Sequence, residues 1–466
     1  MRRTTSLALA CVCAATGCIQ DSLSHAQPAP PRLRDIYEEL VEINTVTETG
    51  DTARAADAMA AHLLAAGFDP ADIHIIKPAP RKGNLVARLR GNGTRRPLML
   101  MAHLDVVEAR REDWSTDPFQ LVEQAGFYYA RGSHDDKAMA AIFLANMIRM
   151  KREGLPLERD LILVLETDEE ILDGKGHGIQ WLLNHHRDLI DAELALNEGG
   201  TVGAVDGQGV FVAIEVWQRR FANFIFEVRN RGGHSSQPRV DNAIYELAHA
   251  LTKVEAHKFP LVLNDVTRGS IESFATIQPE PLASDLRAIA AGTADETSVA
   301  RVTSDPTLNA TLRTTCVATL LEAGHAFNAL PQLARATVNC RILPTETPEA
   351  TLAALRDVVA DERVSITQAE AIVASEPSAF PPPLQQSFER IRDHYWPDAV
   401  LFPIMTPGAT DGAFLRNAGI PTYGIGLLEE LGEQRAHGRD ERIAVSSFES
   451  GEQWIYDLIV QLAAAP

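Results

Sequence analysis

The chain has 466 residues, 45% hydrophobic and 23% charged, an ordinary soluble composition at a length that exceeds one compact core, so two domains are expected. With 43 basic and 63 acidic residues the formal net charge is −20, a potential that repels phosphate backbones and anionic lipid surfaces. Nucleic acid is therefore excluded as a partner.

In chain order, the first element is MRRTTSLALACVCAATG, a basic start followed by an apolar run too short to span a bilayer. The following SHAQ offers Ser24 and Ala26 as small residues for signal-peptidase cleavage, so residues 1–26 read as a signal peptide and the mature chain as exported, periplasmic or secreted. Lipoprotein processing at Cys18 is the alternative. Cys11, Cys13 and Cys18 fall in this leader, which leaves Cys316 and Cys340 either as a disulfide or as two buried thiols.

Residues 27–213 carry apolar strands (RPLMLMAH, DLILVLET, AELALNEG) alternating with helical patterns (DDKAMAAIFLANMIRMKREG, HGIQWLLNHHRDLI). The βαβα order and continuously apolar strands predict an α/β domain with a sheet covered on both faces. From residue 214 to 372 the texture changes to alternating strands (VWQRRFANFIFEVRNR, ARATVNCRILP) and amphipathic helices, predicting a smaller α+β domain with one exposed sheet face. Within it, 258–312 reads as an insertion of short helices and loops. Residues 373–466 return to helix and apolar strand and rejoin the first domain.

Four motifs carry candidate chemistry. His103 and Asp105 in AHLDVV sit two apart at a strand end, on one side of the chain, so that one can ligate a cation while the other accepts the ring proton. Asp135 and Asp136 in RGSHDDKA are either helix caps or ligands. LILVLETDEE places Glu166, Asp168, Glu169 and Glu170 at the end of an apolar strand with no neutralising residue nearby in sequence. Glu198 in LNEGG ends a further strand. In open α/β sheets functional sites collect beyond the carboxyl ends of strands, which is where three of these motifs fall.

LMAHLDVV, DWSTDPF, ARGSHDDKA, ETDEE, LNEGG, RGGHSSQP, NALP, CRILP, TPGATDGAFL and HGRDERI stand in the order found in the di-zinc metallopeptidases that include aminoacylase, glutamate carboxypeptidase and succinyl-diaminopimelate desuccinylase. The chain resembles that family from about residue 33 to its end, and its insertion and LNATLRTTCVATLLEAGHAFNALPQLARATVNCRILP resemble the carboxypeptidase S branch most. The resemblance implies a zinc-exopeptidase-like catalytic domain, a mostly parallel mixed sheet flanked by helices, with an inserted lid or dimerisation domain. It implies two zinc ions, with cobalt or manganese as substitutes. Asp135 would bridge them through a cis peptide to Asp136, His103 and Glu198 would complete one site, and Glu170 and His437 the other. Glu169 would be the general base toward a water shared by the metals, with Asp105 behind the ligands. His234 would reach the active site of a homodimer partner, Asn328 and Arg341 would bind the substrate carboxylate, and Thr410 and Asp411 would lie near the substrate. The implied reaction is hydrolysis of an amide next to a free carboxylate, as a carboxypeptidase on short peptides or, alternatively, an N-acyl-amino-acid amidohydrolase. Read from its strand alone, Arg341 equally suits a pair with a neighbouring acid. His134, His177, His185 and His186 read as surface or packing residues.

Overall fold

The computed structural model describes residues 32–171, 176–371, 374–432 and 435–464; the leader, with its cleavage site and Cys18, lies outside them. A ten-stranded mixed sheet forms the main body. Its strands run in the order Ile73–Ala79, Lys82–Leu89, Leu161–Glu166, Leu98–His103, Leu194–Asn197, Thr422–Gly424, Gln208–Gln218, Thr201–Val205, Leu428–Glu430, with Val400–Thr406 paired to Gln208–Gln218. The central neighbours Leu161–Glu166, Leu98–His103, Leu194–Asn197 and Thr422–Gly424 are parallel.

The apolar runs are buried on both faces. Leu98, Leu100, Ala102, Leu161, Leu163 and Leu165 enter one core with the helices Leu33–Glu42, Lys137–Glu153 and Val445–Ala463, while Met99, Met101, Ile162 and Val164 enter a second core with Ile179–His185 and Gly412–Asn417. Alternate residues of one strand thus feed opposite layers, which is why these strands read as continuous apolar runs. The helix Lys137–Glu153 ends at Gly154, whose φ of 63° closes it in the left-handed conformation that glycine adopts without a Cβ clash.

The second sheet is antiparallel, in the order Thr315–Ala323, Leu333–Ile342, Arg220–Arg229, Val364–Ala371. One face sends Ala222, Phe224, Phe226, Val228, Ala334, Ala336, Val338 and Cys340 into a core shared with the helices Ala243–Ala256 and Pro348–Val359. Cys316 faces Cys340 in register across the first strand pair, and the two form a disulfide.

One expected boundary needs correction. The alternating run VWQRRFANFIFEVRNR holds two strands: Gln208–Gln218 stays in the large sheet and the small sheet begins at Arg220, so the change falls at Arg219 and not at 214. The helical insertion forms its own small core, and its helix Asp265–Ala275 lays Phe274 edge-on against Phe211, beside Phe402, both on strands of the large sheet. Its short helices start at Asn264, Asp295 and Asp305, each accepting a backbone N–H of the first turn.

Candidate metal centre

The parallel strands Leu98–His103, Leu161–Glu166 and Leu194–Asn197 end on one edge of the sheet, so the segments that follow them converge there. His103 is buried, and its Nδ1 donates to the backbone carbonyl of Asp105 at 3.0 Å. That bond turns Nε2 toward Asp135 Oδ1 at 3.0 Å and Glu198 Oε1 at 3.9 Å. His437 approaches from the C-terminal segment, with Nε2 3.0 Å from Glu170 Oε1 and 3.2 Å from Asp135 Oδ2. Asp135 therefore turns one oxygen to each histidine. His103, Asp135 and Glu198 form one group of potential ligand atoms within 4.8 Å of one another, and Asp135, Glu170 and His437 form a second.

The local chain explains how these side chains are held. The Asp135–Asp136 peptide is cis. Asp136 precedes the helix Lys137–Glu153, yet its side chain makes no capping hydrogen bond, so the cap reading of the DD pair does not hold. Asp105 is fully buried and its carboxylate accepts the backbone N–H groups of Glu169 and Glu170, at 3.2 and 3.1 Å. Its expected partner, the His103 ring, is 3.8 Å away and served by the carbonyl instead. Asp105 thus fixes the turn that bears both glutamates.

Asp168 within that turn has a φ of 68° and is paired to Lys82 Nζ at 2.5 Å and His177 Nδ1 at 2.8 Å. Lys82 thereby neutralises part of the acidic cluster inside the protein, and His177, expected to be a surface or packing residue, hydrogen-bonds the same carboxylate. Glu166 accepts the N–H of Ile179 at 2.9 Å and shares a hydrogen bond with Asp411, whose pKa is pushed up to about 6 by burial.

Burial, with charge crowding added to it, governs the remaining carboxylates. Burial, then the neighbouring Glu198 charge, holds Glu169 well above the usual carboxylate range, and burial raises Glu170 and Glu198 as well. His437 is pushed up to about 10 by its hydrogen bonds to Asp135 and Glu170. Burial opposes charge on His103, but the bond to Asp135 and the Glu198 and Glu169 charges outweigh it and raise its pKa well above the usual value. Burial thus disfavours charge on Glu169, Glu170 and Glu198, while at Asp135 the two histidines outweigh burial and hold it below the usual carboxylate range, and dications are the counter-charge that such a set of imidazole and carboxylate donors takes. A cavity of about 650 Å³ opens beside His437, bounded by Trp114, Arg131 and Arg439.

The chain belongs to peptidase family M20/M25/M40. The family model matches residues 99–461, which spans every motif described above. Two relatives set the range: the N-fatty-acyl-amino acid synthase/hydrolase PM20D1 of Homo sapiens, 29% identical over 381 residues (78% of this chain, 73% of that protein), and the probable carboxypeptidase S-like 2 of Dictyostelium discoideum, 27% identical over 381 residues (78% and 71%). Among solved structures, the M20 family metallo-carboxypeptidase Sso-CP2 from Sulfolobus solfataricus superposes with a TM-score of 0.69 at 16% identity, covering 92% of this chain and 98% of that one. The Bacillus subtilis YXEP protein, described as a dinuclear metal binding peptidase of the M20 family, superposes at 0.54 with 12% identity over 92% and 97% of the two chains. The protein is accordingly a hydrolase of amide bonds with the mixed α/β fold of M20 peptidases.

The other anticipated residues fall in two places. Arg341 ends the small-sheet strand Leu333–Ile342, half-buried, its guanidinium 5.3 Å from the Phe221 ring and within the field of Glu169 and Glu170. No carboxylate of the described residues lies within ion-pair distance of it, so the strand-pair alternative is not realised. Beneath it, the buried Arg219 donates to the carbonyls of Arg341 at 3.2 Å and Arg313 at 2.5 Å, a support without a sequence signal. His234 and Asn328 sit together on an exposed two-stranded ribbon, where Ser235 N donates to the Asn328 carbonyl at 3.1 Å. They are not brought to the acidic cluster. Thr410 and Asp411 are buried, with side-chain hydrogen bonds to Gln218 and Glu166 respectively. They form the floor behind the ligands rather than an open substrate surface.

Proposed function

We propose that the protein binds two divalent cations, zinc first among them, and hydrolyses the amide bond joining a short peptide to a C-terminal amino acid whose carboxylate is free. The observation that carries this reading is the pair of histidine-carboxylate groups sharing Asp135. His103, Asp135 and Glu198 would hold one cation and Asp135, Glu170 and His437 the other, and three protein donors per ion leave each site open to substrate. Bound cations supply Lewis acidity toward the scissile carbonyl and toward water.

The chain's own groups do the remaining work. Glu169 belongs to neither donor group and stands next to both, so it is free to carry a proton. It accepts that proton from the attacking water as the new C–O bond forms, and delivers it to the amide nitrogen as the C–N bond breaks. Arg341, with no carboxylate of the described residues within ion-pair distance, offers its guanidinium fork to the free carboxylate of the leaving residue.

A second reading, N-acyl amino acids as substrates, is favoured by the name of the human relative, and both readings share the amino acid half recognised by Arg341. His234 and Asn328 suit a trans role in a homodimer. The strand Thr315–Ala323 supports that arrangement, because it is a sheet edge that exposes Val317, Leu320 and Leu321. Export, as periplasmic or secreted protein or through a lipid on Cys18, is proposed from the leader, and the Cys316–Cys340 disulfide supports an oxidising compartment.

Replacing Glu169 with Gln tests the mechanism. Metal content measured by elemental analysis stays near two per chain, while kcat falls by about 10²- to 10⁴-fold. A Glu169→Gln variant that retains substantial turnover overturns the assignment.

A further inference from the structure

We infer that Arg131 and Glu441 form a buried clamp that fixes the spacing of Asp135 and His437 and so sets how tightly the cluster holds its cations. The inference rests on the metal-site reading above. Glu441 is fully buried, and its carboxylate accepts four hydrogen bonds. Oε1 takes the backbone N–H groups of His134 and Asp135 at 2.8 and 3.0 Å, and Oε2 takes Arg131 Nη1 at 2.5 Å and the N–H of Gly132 at 3.1 Å. One side chain from the C-terminal segment therefore grips the loop that presents Asp135.

Arg131 returns the grip. Its Nη2 reaches the carbonyl of Gly438 at 3.1 Å and those of His437 and Glu108 at 3.4 Å, while its guanidinium lies 5.1 Å from the Trp114 ring centre. His437 needs such support: its side chain is 52% exposed and its backbone has a φ of 63°. The two ligands that must meet across the second cation group thus come from separate segments, and a single ion pair ties both backbones. A neutral amide at residue 441 would turn donor hydrogens toward Gly132 N–H and the guanidinium, so the carboxylate is the group that fits. Groups behind metal ligands commonly change metal affinity by about 10- to 100-fold when altered.

The test is a zinc titration of the full chain in chelator-buffered solutions, with the thermal midpoint of each metal-free protein measured alongside. Wild type takes up two ions. Glu441→Gln and Arg131→Lys raise the zinc Kd by about 10- to 100-fold. Asp285→Asn is the control, because it breaks another ion pair, between the buried Asp285 carboxylate and the exposed Arg301, in the helical insertion away from the cluster. It lowers the thermal midpoint and leaves the Kd at the wild-type value. Wild-type Kd in both clamp variants, or an equal Kd change in the control, overturns the inference while leaving the metal site standing. Absence of zinc binding by wild type overturns both. If Glu441→Gln does not fold, Arg131→Lys, which keeps the charge, decides the matter.

Discussion

In the proposed function, Arg341 is the residue that would tie the site to a class of substrate. Its guanidinium lies within the field of Glu169 and Glu170, and among the described residues no carboxylate comes within ion-pair distance of it, an arrangement that suits an anion from outside. Hydrogen bonds to charged groups are worth about 1.5–3 kcal/mol, so Arg341→Ala should lower kcat/KM by about 10- to 150-fold for substrates with a free carboxylate. The same substrates with an amidated C-terminus should respond little, and steady-state kinetics on matched pairs checks this. At this scale the sequence was readable where chemistry clusters locally: HxD, DD, EE and NEG each put donors together at a strand end or helix start. It was unreadable where one residue serves another across the fold. Arg131 and Glu441 are 310 positions apart, and an ion pair at that separation leaves no periodicity or spacing to detect. Asp105 shows a subtler limit. Two-residue spacing places it on the side of His103, yet backbone N–H groups outcompeted the ring for its carboxylate.

At the scale of elements, the turn Glu166–Glu170 is held by contact as much as by charge. A Cβ on Gly178 would lie 1.8 Å from Glu166 Oε2 and 2.1 Å from the Thr167 carbonyl. Gly178→Ala should therefore push the turn away from the helix Ile179–His185, cost about 1–3 kcal/mol as overpacking does, and loosen metal retention by displacing Glu170. Thermal denaturation and metal content after dialysis report the two effects. The strand and helix order was legible because buried strands read as unbroken apolar runs and helices as 3.6-residue patterns. The strand break at Arg219 was not, since burial runs unbroken from the end of Gln208–Gln218 through Arg219 and Arg220–Arg229 then alternates in the same apolar register, with no glycine, proline or turn residue between them. The packing of the insertion against the large sheet was equally hidden, because Phe274 meets Phe211 and Phe402 only after the chain has folded back.

For the whole molecule, the acidic cluster lies at one edge of the large sheet and Arg341 at the end of a small-sheet strand, so the proposed catalysis would depend on how the two sheets are set against each other. Among the described residues no helix is long and apolar enough to cross a membrane. The proposed trans role of His234, on its exposed ribbon, would extend that dependence to a second copy. If that residue acts in trans, His234→Ala and Glu169→Gln chains are each inactive as homodimers. Mixed dimers then contain one site with both groups, and equal mixing should restore about a quarter of wild-type activity. Activity that stays absent on mixing, with light scattering confirming subunit exchange, removes the trans role. The decisive measurement is amino acid release from matched short peptides and N-acyl amino acids, free or amidated at the terminal carboxylate, with zinc and after chelation. Zinc-dependent release is expected from substrates with the free carboxylate, lost with chelator and restored by added zinc. Release that survives chelation, or that ignores the carboxylate, would contradict the proposed function.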